Sequence, residues 1–394
     1  MPRDREAFLA ALCALPGAPA PRIGAFFAQQ RQIADTLWAL FDDPALLPPF
    51  SPSMLLRHLA RAPRYAKLLP LLGRPLGALL ERHGLAGFTP LRTWLDAVCQ
   101  ITVQCSADEA ESSFALAAID YFWRGTGHVR GGIGMLARGL CEALEQLGAQ
   151  VRFGDRVRSL RRQEDHWLLE TRRGPLRARA VVANLLPHDL RALLGEVAGC
   201  RPGLDALGDR VAGGWGAAML YRVARAPVGA GGAPQHLQLI RDAALPLQEG
   251  NHVFLSISGA ADEGRAPPGL RTLTASTHVP LALLRGPPAE QAARVAEVQA
   301  AMRATLDARA LEWSAGLEHE LTASPRTFAR FTRRSDGAVG GVPRRAGLGH
   351  YWQLGPIEVA SGLWLAGDSA FPGQSTLATA LGGVRVAEAI SRAG

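Results

Sequence analysis

The C-terminal segment places the strongest constraint on how this chain can fold. Residues 362–366 have the pattern of a short apolar strand, and Gly367-Asp368 ends it. Residues 369–373 form a Pro-Gly turn, and a helix of small residues is predicted over 374–390. A strand, a glycine, a carboxylate, a turn and a helix in this order predict an α/β layer with a ligand site at the strand end.

The chemistry of this segment points to phosphate and diol groups. Glycine lets a ligand approach the backbone, and Asp368 can accept hydrogen bonds from sugar-like hydroxyls. The free N–H groups of Ser375, Thr376 and Leu377 at the helix start favour a negative charge. We expect Gly382-Gly383 to interrupt the helix. An ordinary strand–turn–helix with a capping serine is the alternative.

Hydrophobic periodicity divides the chain into four segments. Residues 1–124 are predicted to be helical, 125–200 combine a helix with short strands, 201–345 form a mainly sheet-plus-helix domain, and 346–394 hold the strand–turn–helix. The predicted fold class is mixed α/β. Strands are predicted over 150–153, 156–161, 167–171, 177–183, 217–223, 236–240, 253–257 and 270–277, and helices over 89–103, 108–122, 135–147 and 289–309.

Composition excludes several classes of protein. With 48% hydrophobic and 20% charged residues, the 394-residue chain can bury large cores. No uncharged apolar run reaches the roughly 18 residues of a transmembrane helix. The five cysteines lack CxxC spacing, which indicates a reducing compartment and no zinc site. The net charge of +8 comes almost wholly from arginine, with Lys67 the single lysine, and the basic patches lack interleaved aromatics, so no nucleic-acid partner is expected.

One basic, leucine-rich stretch has two interpretations. Residues 53–83 carry a single acid, Glu81, and many leucines. Such a segment can lie on an anionic membrane surface, or it can be a solvated helix face over a core. Its basic residues are Arg57, Arg61, Arg64, Lys67, Arg74 and Arg82.

The glycines at 131–134 give a weaker signal. Gly132-Ile-Gly134-Met-Leu-Ala137 matches a variant of the dinucleotide fingerprint, with Asp155 about twenty residues on. The fingerprint requires a hydrophobic strand before the first glycine, and residues 125–130 are short and polar. We interpret these glycines as a loop-to-helix turn. The chain also lacks GxSxG and HExxH motifs, and its ten histidines are scattered, so no catalytic acid or base and no metal ligand is predicted.

Taken together, the motifs resemble the phytoene desaturase family of FAD-dependent oxidoreductases, within the flavin amine oxidase superfamily, which includes carotenoid desaturases and cis–trans isomerases. The matching segments are RGGIGMLARGL at 130–140, LGAQVRFGDRV at 147–157, VVAN at 181–184, GAVGGVP at 337–343, GLWLAGDSAFPGQST at 362–376 and LGGVR at 381–385. The resemblance implies a glutathione-reductase-like FAD-binding domain, formed by 125–200 and 346–394 and interleaved with a substrate domain at 201–345.

The resemblance also implies site residues. Asp368 would bind the ribityl chain, Gly367 would be a further cofactor-binding residue, and the backbone of Val157 would contact the adenine. Phe371 and Trp352 are candidates for the substrate wall, and core packing of these aromatic side chains is the alternative. The residues expected beside the isoalloxazine and pyrophosphate are Phe371, Pro372, Gly373, Gln374, Ser375 and Thr376.

The chain departs from the family at its beginning. The N-terminal strand and GxGxxG unit of the family are absent from the sequence. A start codon assigned too far downstream is the favoured explanation, and a deliberate fragment and a naturally short protein are the alternatives. Without that unit we expect weak or no FAD binding by the chain as given, open sheet edges, exposed apolar surface and low solubility as a monomer.

The functional expectation is an FAD-dependent oxidoreductase that desaturates or isomerises a carotenoid or similar polyene. The resemblance implies a peripheral location at the inner face of the cytoplasmic membrane. A non-catalytic paralogue that binds a desaturase or a membrane lipid is one alternative. An amine-oxidase-type flavoenzyme is another, disfavoured because Lys67 is far from the C-terminal motif in sequence. The oligomeric state stays open.

Overall fold

The computed structural model describes residues 2, 4–43, 46–48, 52–195, 203–262, 264–284 and 286–393. In the N-terminal region, apolar residues of the second, fifth and sixth helices share one core, to which Phe26, Leu95 and Ile119 belong. The helices of this region are α1 (Arg5–Cys13), α2 (Ala20–Phe41), α3 (Pro52–Tyr65), α4 (Leu76–Arg82), α5 (Thr89–Thr102) and α6 (Ser112–Arg124).

Local capping sets the ends of these helices. The Asp4 carboxylate accepts a hydrogen bond from the N–H of Ala7 at 2.8 Å and begins α1. α5 has a proline in its first turn and confirms the helix predicted over 89–103. The helix predicted over 108–122 begins later, at Ser112, because the Glu111 carboxylate caps it.

The middle region holds α7 (Gly134–Gln146), β1 (Val157–Gln163), β2 (His166–Thr171), β3 (Gly174–Ala178), β4 (Val181–Ala183) and α8 (Pro187–Leu194). β1, β2 and β3 form an antiparallel meander. The strand predicted over 150–153 is wrong, since these residues form no strand. The strand predicted over 177–183 is two strands, because the chain bends at 179–180 and β4 joins a different sheet.

The next region is built on an antiparallel five-stranded sheet in the order β6-β7-β8-β5-β9. Val298, Met302 and Leu306 of its long helix pack on one sheet face, and the strands and helix predicted in this region are confirmed. Its elements are α9 (Gly203–Ala212), β5 (Trp215–Arg225), β6 (Gln235–Ile240), β7 (His252–Ile257), β8 (Leu270–Pro280), α10 (Pro288–Arg309), α11 (Leu311–Ala315), β9 (Leu317–Ala323) and α12 (Pro325–Thr332).

The C-terminal region adds two strands to the sheet that contains β4. β10 (Ile357–Ala360) pairs antiparallel with β11 (Leu363–Leu365), and β11 pairs parallel with β4. The last helix, α13 (Thr376–Ala393), runs unbroken through Gly382-Gly383, so the predicted interruption is wrong. Each interior glycine costs about 1 kcal/mol, but burial of Leu381 and Val386 on either side stabilises the helix.

Two surfaces of the middle region lack a covering layer within the described part of the chain. α7 has no buried residue, and it exposes Leu136, Leu140 and Leu144 to solvent. β4 lies at the edge of its sheet, with Val182 48% exposed. These are the open edge and exposed apolar surface that the sequence predicts, and low solubility of the monomer stays a prediction.

Candidate functional site

The carboxyl ends of β4 and β11 lie at one edge of their sheet, because the two strands are parallel. The N–H of Ala366 donates to the carbonyl of Ala183 at 2.9 Å and extends the pairing. Gly367 has a φ of +103°, and a Cβ at this position would overlap Oδ1 of Asn184. Glycine is therefore required at 367, and it places Asp368 directly beyond the sheet edge, where the sequence predicts a diol-binding group.

Arg334 orients the Asp368 carboxylate. The guanidinium lies 2.9 Å from Oδ2 of Asp368, and that side chain is 20% exposed. The same guanidinium donates to the carbonyls of Ala338, at 2.8 Å, and Gly340, at 2.6 Å. A carboxylate can accept several hydrogen bonds, so Asp368 keeps acceptor capacity for a hydroxyl. Sequence reasoning missed Arg334, because one arginine among many gives no pattern.

The Gly340-Gly341 pair lets three segments of the chain meet. Gly340 has a φ of +73°, and a Cβ there would overlap the side-chain amides of Gln104 and Gln374. A Cβ on Gly341 would overlap the backbone carbonyl of Asp368. The predicted GAVGGVP motif therefore lies directly against the strand–turn–helix.

The predicted cofactor turn is fixed by buried neighbours. The Phe371–Pro372 peptide bond is cis, and the Arg344 guanidinium donates to the Pro372 carbonyl at 2.9 Å. Phe371 is 9% exposed and stacks on Phe41 with ring centroids 6.2 Å apart. The Arg385 guanidinium lies 5.5 Å from the centre of the Phe371 ring. Phe371 therefore links the turn to α2 and α13.

Ser375 caps the N-terminus of α13, which is the alternative role considered for it from the sequence. Its Oγ accepts a hydrogen bond from the N–H of Ala378 at 3.1 Å, and its φ is +117°. Gly373, with a φ of +114°, precedes it and packs against Arg344. Capping by Ser375 satisfies only one free N–H group of α13, so the helix start keeps donors for an anion.

An apolar cavity of about 420 Å³ opens beside this turn. Arg344 is the charged side chain among the described residues that line it, and burial lowers its pKa to about 10, with Arg210 contributing. The cavity brings Pro372, Gln374 and Ser375 together with α2, α5 and α6. The lining aromatic and larger apolar residues are Trp38, Phe41, Ile101, Val103, Phe114, Tyr121, Val342, Leu377 and Leu381.

Behind Arg344 lies a buried polar network. Nδ1 of His350 accepts hydrogen bonds from Arg210 at 2.7 Å and Arg344 at 3.2 Å, while Nε2 donates to the Arg345 carbonyl at 2.9 Å. This pattern requires neutral His350, whose pKa burial and the two guanidiniums lower to about 4. Tyr351 donates to the Glu111 carboxylate at 2.7 Å. Burial raises the pKa of Glu111.

The structure brings some predicted site residues together and separates others. Trp352 is 83% exposed and lines a different cleft, with Leu204 and Pro356, so it does not share the cavity beside Phe371. Val157 packs on the same core cluster as Leu363 of β11. Its predicted adenine contact stays a prediction.

Comparison with known proteins finds similarity to one family over part of the chain. A family model described as flavin containing amine oxidoreductase matches residues 25–199. The chloroplastic prolycopene isomerase of Arabidopsis thaliana is 31% identical over 141 residues, which are 35% of this chain and 24% of that protein. The match thus spans about a quarter of the length of that curated relative.

Solved structures share the fold at low identity. An oxidoreductase from Methanosarcina mazei has a TM-score of 0.56 at 19% identity, over 80% of this chain and 68% of its own. Cyclohexylamine oxidase from Brevibacterium oxydans has a TM-score of 0.52 at 14% identity, over 96% of this chain and 75% of its own. The mixed α/β fold is therefore that of FAD-dependent oxidoreductases of the amine oxidase type. The chain is thus similar to flavin containing amine oxidoreductases over residues 25–199 and to a prolycopene isomerase over 141 residues, and it shares the fold of solved amine oxidases.

Proposed function

We propose that this chain acts in the FAD-dependent oxidation or isomerisation of a carotenoid or similar polyene. The observation that carries the proposal is an apolar cavity of about 420 Å³ whose wall includes Pro372, Gln374 and Ser375 of the predicted cofactor segment. An apolar molecule in this cavity would lie beside those residues. The likeness to a prolycopene isomerase supports a polyene as the substrate.

The residues at the sheet edge fit the polar groups of a flavin. Asp368 can accept hydrogen bonds from ribityl hydroxyls, and the N-terminus of α13 can receive phosphate. Bound FAD would supply hydride transfer. The chain would orient the cofactor, and the apolar lining would exclude water from the reacting bond. We propose no catalytic acid or base, and Phe371 is proposed to support the substrate wall through Phe41 and Leu381, which line the cavity.

An amine substrate is disfavoured by the charge of the cavity. Arg344 is the charged lining side chain within the described residues, and a guanidinium repels an ammonium group. Lys67, the single lysine, donates to Oε1 of Gln32 at 3.1 Å and does not line the cavity. The solved amine oxidases therefore share the fold with this chain. The substrate that we propose remains a polyene.

Asp368→Asn is expected to weaken flavin binding by ten- to a hundredfold, because a hydrogen bond to a charged acceptor contributes about 1.5–3 kcal/mol. We would titrate FAD into the chain as given and follow quenching of flavin fluorescence, with weak affinity expected for the wild type. Asp307→Asn on an exposed part of α10 is the matched control. Equal affinity in Asp368→Asn and wild type contradicts the assignment of Asp368.

A turnover measurement distinguishes the proposed enzyme from a non-catalytic paralogue that only binds a desaturase or a membrane lipid. A cis-carotene incubated with the chain and FAD should show a longer-wavelength absorption maximum after desaturation, or a new isomer by chromatography. Flavin binding without either product favours the non-catalytic alternative. A primary amine in place of the carotene tests the amine-oxidase alternative, and hydrogen peroxide formation from it would support that activity.

We also propose that α3 rests on an anionic membrane surface, which would deliver an apolar substrate. Leu55, Leu56 and Leu59 are 55%, 69% and 71% exposed on this helix. Arg57 and Arg64 are exposed on the same helix. Exposed leucines flanked by arginines fit the interface of an anionic bilayer. Within the described residues, no helix combines the length and hydropathy needed to cross a bilayer.

Replacing Leu55, Leu56 and Leu59 with serine should reduce vesicle binding at least about tenfold, because each leucine loses apolar burial in the bilayer. Co-sedimentation with phosphatidylglycerol vesicles measures the effect, and phosphatidylcholine vesicles test the charge contribution. A control triple variant replaces Leu245, Leu311 and Leu317, which are 49%, 63% and 40% exposed elsewhere. Equal binding of both triple variants contradicts a role for α3.

A further inference from the structure

Gln104 occupies an unusual position two residues after α5. Its backbone has a φ of +62°, a conformation that a non-glycine residue adopts rarely. The residue is 4% exposed. The Trp215 indole donates to its carbonyl at 2.8 Å, and its own N–H donates to the Cys99 carbonyl at 2.9 Å. The backbone is therefore held in this conformation from both sides.

The side-chain amide of Gln104 has one satisfied end and one unsatisfied end. Nε2 donates to the Val339 carbonyl at 3.0 Å, which fixes the amide orientation. Oε1 is buried and has no hydrogen-bond partner in the part of the chain that the structure describes. A buried acceptor without a partner is costly. The position of this oxygen therefore indicates that it receives a donor from outside the described residues.

The amide of Gln374 lies beside that of Gln104, and its Nε2 also bonds backbone carbonyls. Its Nε2 donates to the carbonyls of Ile101, at 3.3 Å, and Thr102, at 2.9 Å. Both amides contact Gly340, where a Cβ would overlap Nε2 of Gln104 and Oε1 of Gln374. Two backbone carbonyls accept from the NH₂ group of Gln374 and one accepts from that of Gln104, so the Gln104 amide keeps one N–H besides its oxygen, which is unpartnered among the described residues. The oxygen of Gln104 is complementary to a ligand group that carries N–H or O–H.

We infer that Gln104 is a cofactor-binding residue whose amide oxygen accepts a hydrogen bond from an N–H or hydroxyl donor of the flavin. This inference rests on the proposed flavin function. The location supports it, since Gly341 packs on the Asp368 carbonyl and Arg334 bonds both Asp368 and Gly340. Gln104 thus joins the helical region to the predicted ribityl residue. The donor is either the imide N–H of the ring or a ribityl hydroxyl.

The test compares wild type with Gln104→Met, which keeps length and loses both amide groups. The probes are riboflavin, 3-methylriboflavin, which lacks the imide N–H, and lumiflavin, which lacks the ribityl hydroxyls. We expect about tenfold weaker riboflavin binding by Gln104→Met. If Gln104→Met also weakens the binding of lumiflavin, the donor is the imide N–H. If it also weakens the binding of 3-methylriboflavin, the donor is a ribityl hydroxyl. Either result supports the inference.

Gln100→Met is the matched control, because Gln100 is a buried glutamine of α5, 6% exposed. Thermal unfolding of each variant separates a structural effect from a binding effect. Unchanged riboflavin affinity in Gln104→Met overturns the inference and leaves the proposed function intact. That result means that a water molecule donates to Oε1 of Gln104. Equal losses for all three flavins, or a loss of affinity matched by Gln100→Met, also overturn the inference. Failure of wild type to bind any of the flavins overturns both proposals.

Discussion

Gly341→Ala is expected to destabilise the protein by about 3 kcal/mol, the upper end of the usual cost of overpacking. The added Cβ would overlap the backbone carbonyl of Asp368, and the Ser369 nitrogen would lie 2.9 Å from it. Backbone atoms cannot rotate away as the end of a flexible side chain can. Either the 340–341 turn or the segment after β11 must therefore move, and both positions matter for Asp368.

Urea unfolding at neutral pH measures this loss, and FAD titration should show at least a tenfold weaker affinity through displacement of Asp368. Gly355→Ala is the control, because a Cβ at Gly355 has no neighbour within 4 Å in the described residues. Wild-type stability in Gly341→Ala would contradict the close contact between the GAVGGVP turn and the Asp368 segment.

The C-terminal site was predictable because its signals are local. An apolar run, a glycine, an acid and a Pro-Gly turn are neighbours in sequence, and the observed β11 and α13 lie within two or three residues of the predicted bounds. Gly367 shows why the pattern is informative. Its positive φ and contact with Asn184 admit no side chain, so the residue type reflects the geometry.

The residues that complete the site were not predictable in this way. Gln104 and Arg334 reach it through hydrogen bonds to backbone carbonyls, which leave no periodic pattern in the sequence. Gln104 also comes from the helical region, far along the chain from Gly340. Trp352 illustrates the opposite case, because an aromatic residue close to the motif in sequence lines another cleft.

The strand errors have a related cause. Residues 177–183 are predicted as one strand on the apolar run at 180–183, but the strand pairing divides them between two sheets. Trp167 pairs with Ala178 in the meander, whereas Val181 pairs with Leu363 of β11. Propensity alone cannot locate such a division, because the partner strand lies far away in sequence.

Lowering the pH from 7 to 4.5 is expected to remove several kcal/mol of stability, mainly through His252, His278 and His350. Burial lowers the pKa of each to about 4. In the unfolded chain a histidine has a pKa of about 6.5. Between these values the unfolded state binds more protons, so stability is complete above about pH 7 and is lost as the pH falls. Each histidine contributes a slope of up to about 1.4 kcal/mol per pH unit.

His350→Asn isolates one of these contributions. Asparagine can place an acceptor near Nδ1 for Arg210 and Arg344 and does not titrate. We expect a lower stability at pH 7, because the bond to the Arg345 carbonyl is lost. The slope of unfolding free energy against pH between 6.5 and 4.5 should fall by up to about 1.4 kcal/mol per unit. Urea unfolding across this range measures it, with exposed His319→Asn as the control.

Protonation of Glu111 changes the stability in the opposite direction over the same pH range. Burial raises its pKa, so its protonation as the pH falls favours the folded state. Glu111 still contributes less than the histidines, because Tyr351 and three backbone N–H groups stabilise its ionised form. Protonation of His350, by contrast, would place a third positive charge between two guanidiniums and break both bonds to Nδ1. An unchanged slope of unfolding free energy against pH in His350→Asn would therefore mean that the hydrogen bonds around Arg344 break before His350 is protonated. The cavity beside Phe371 would then lose these hydrogen bonds in mild acid.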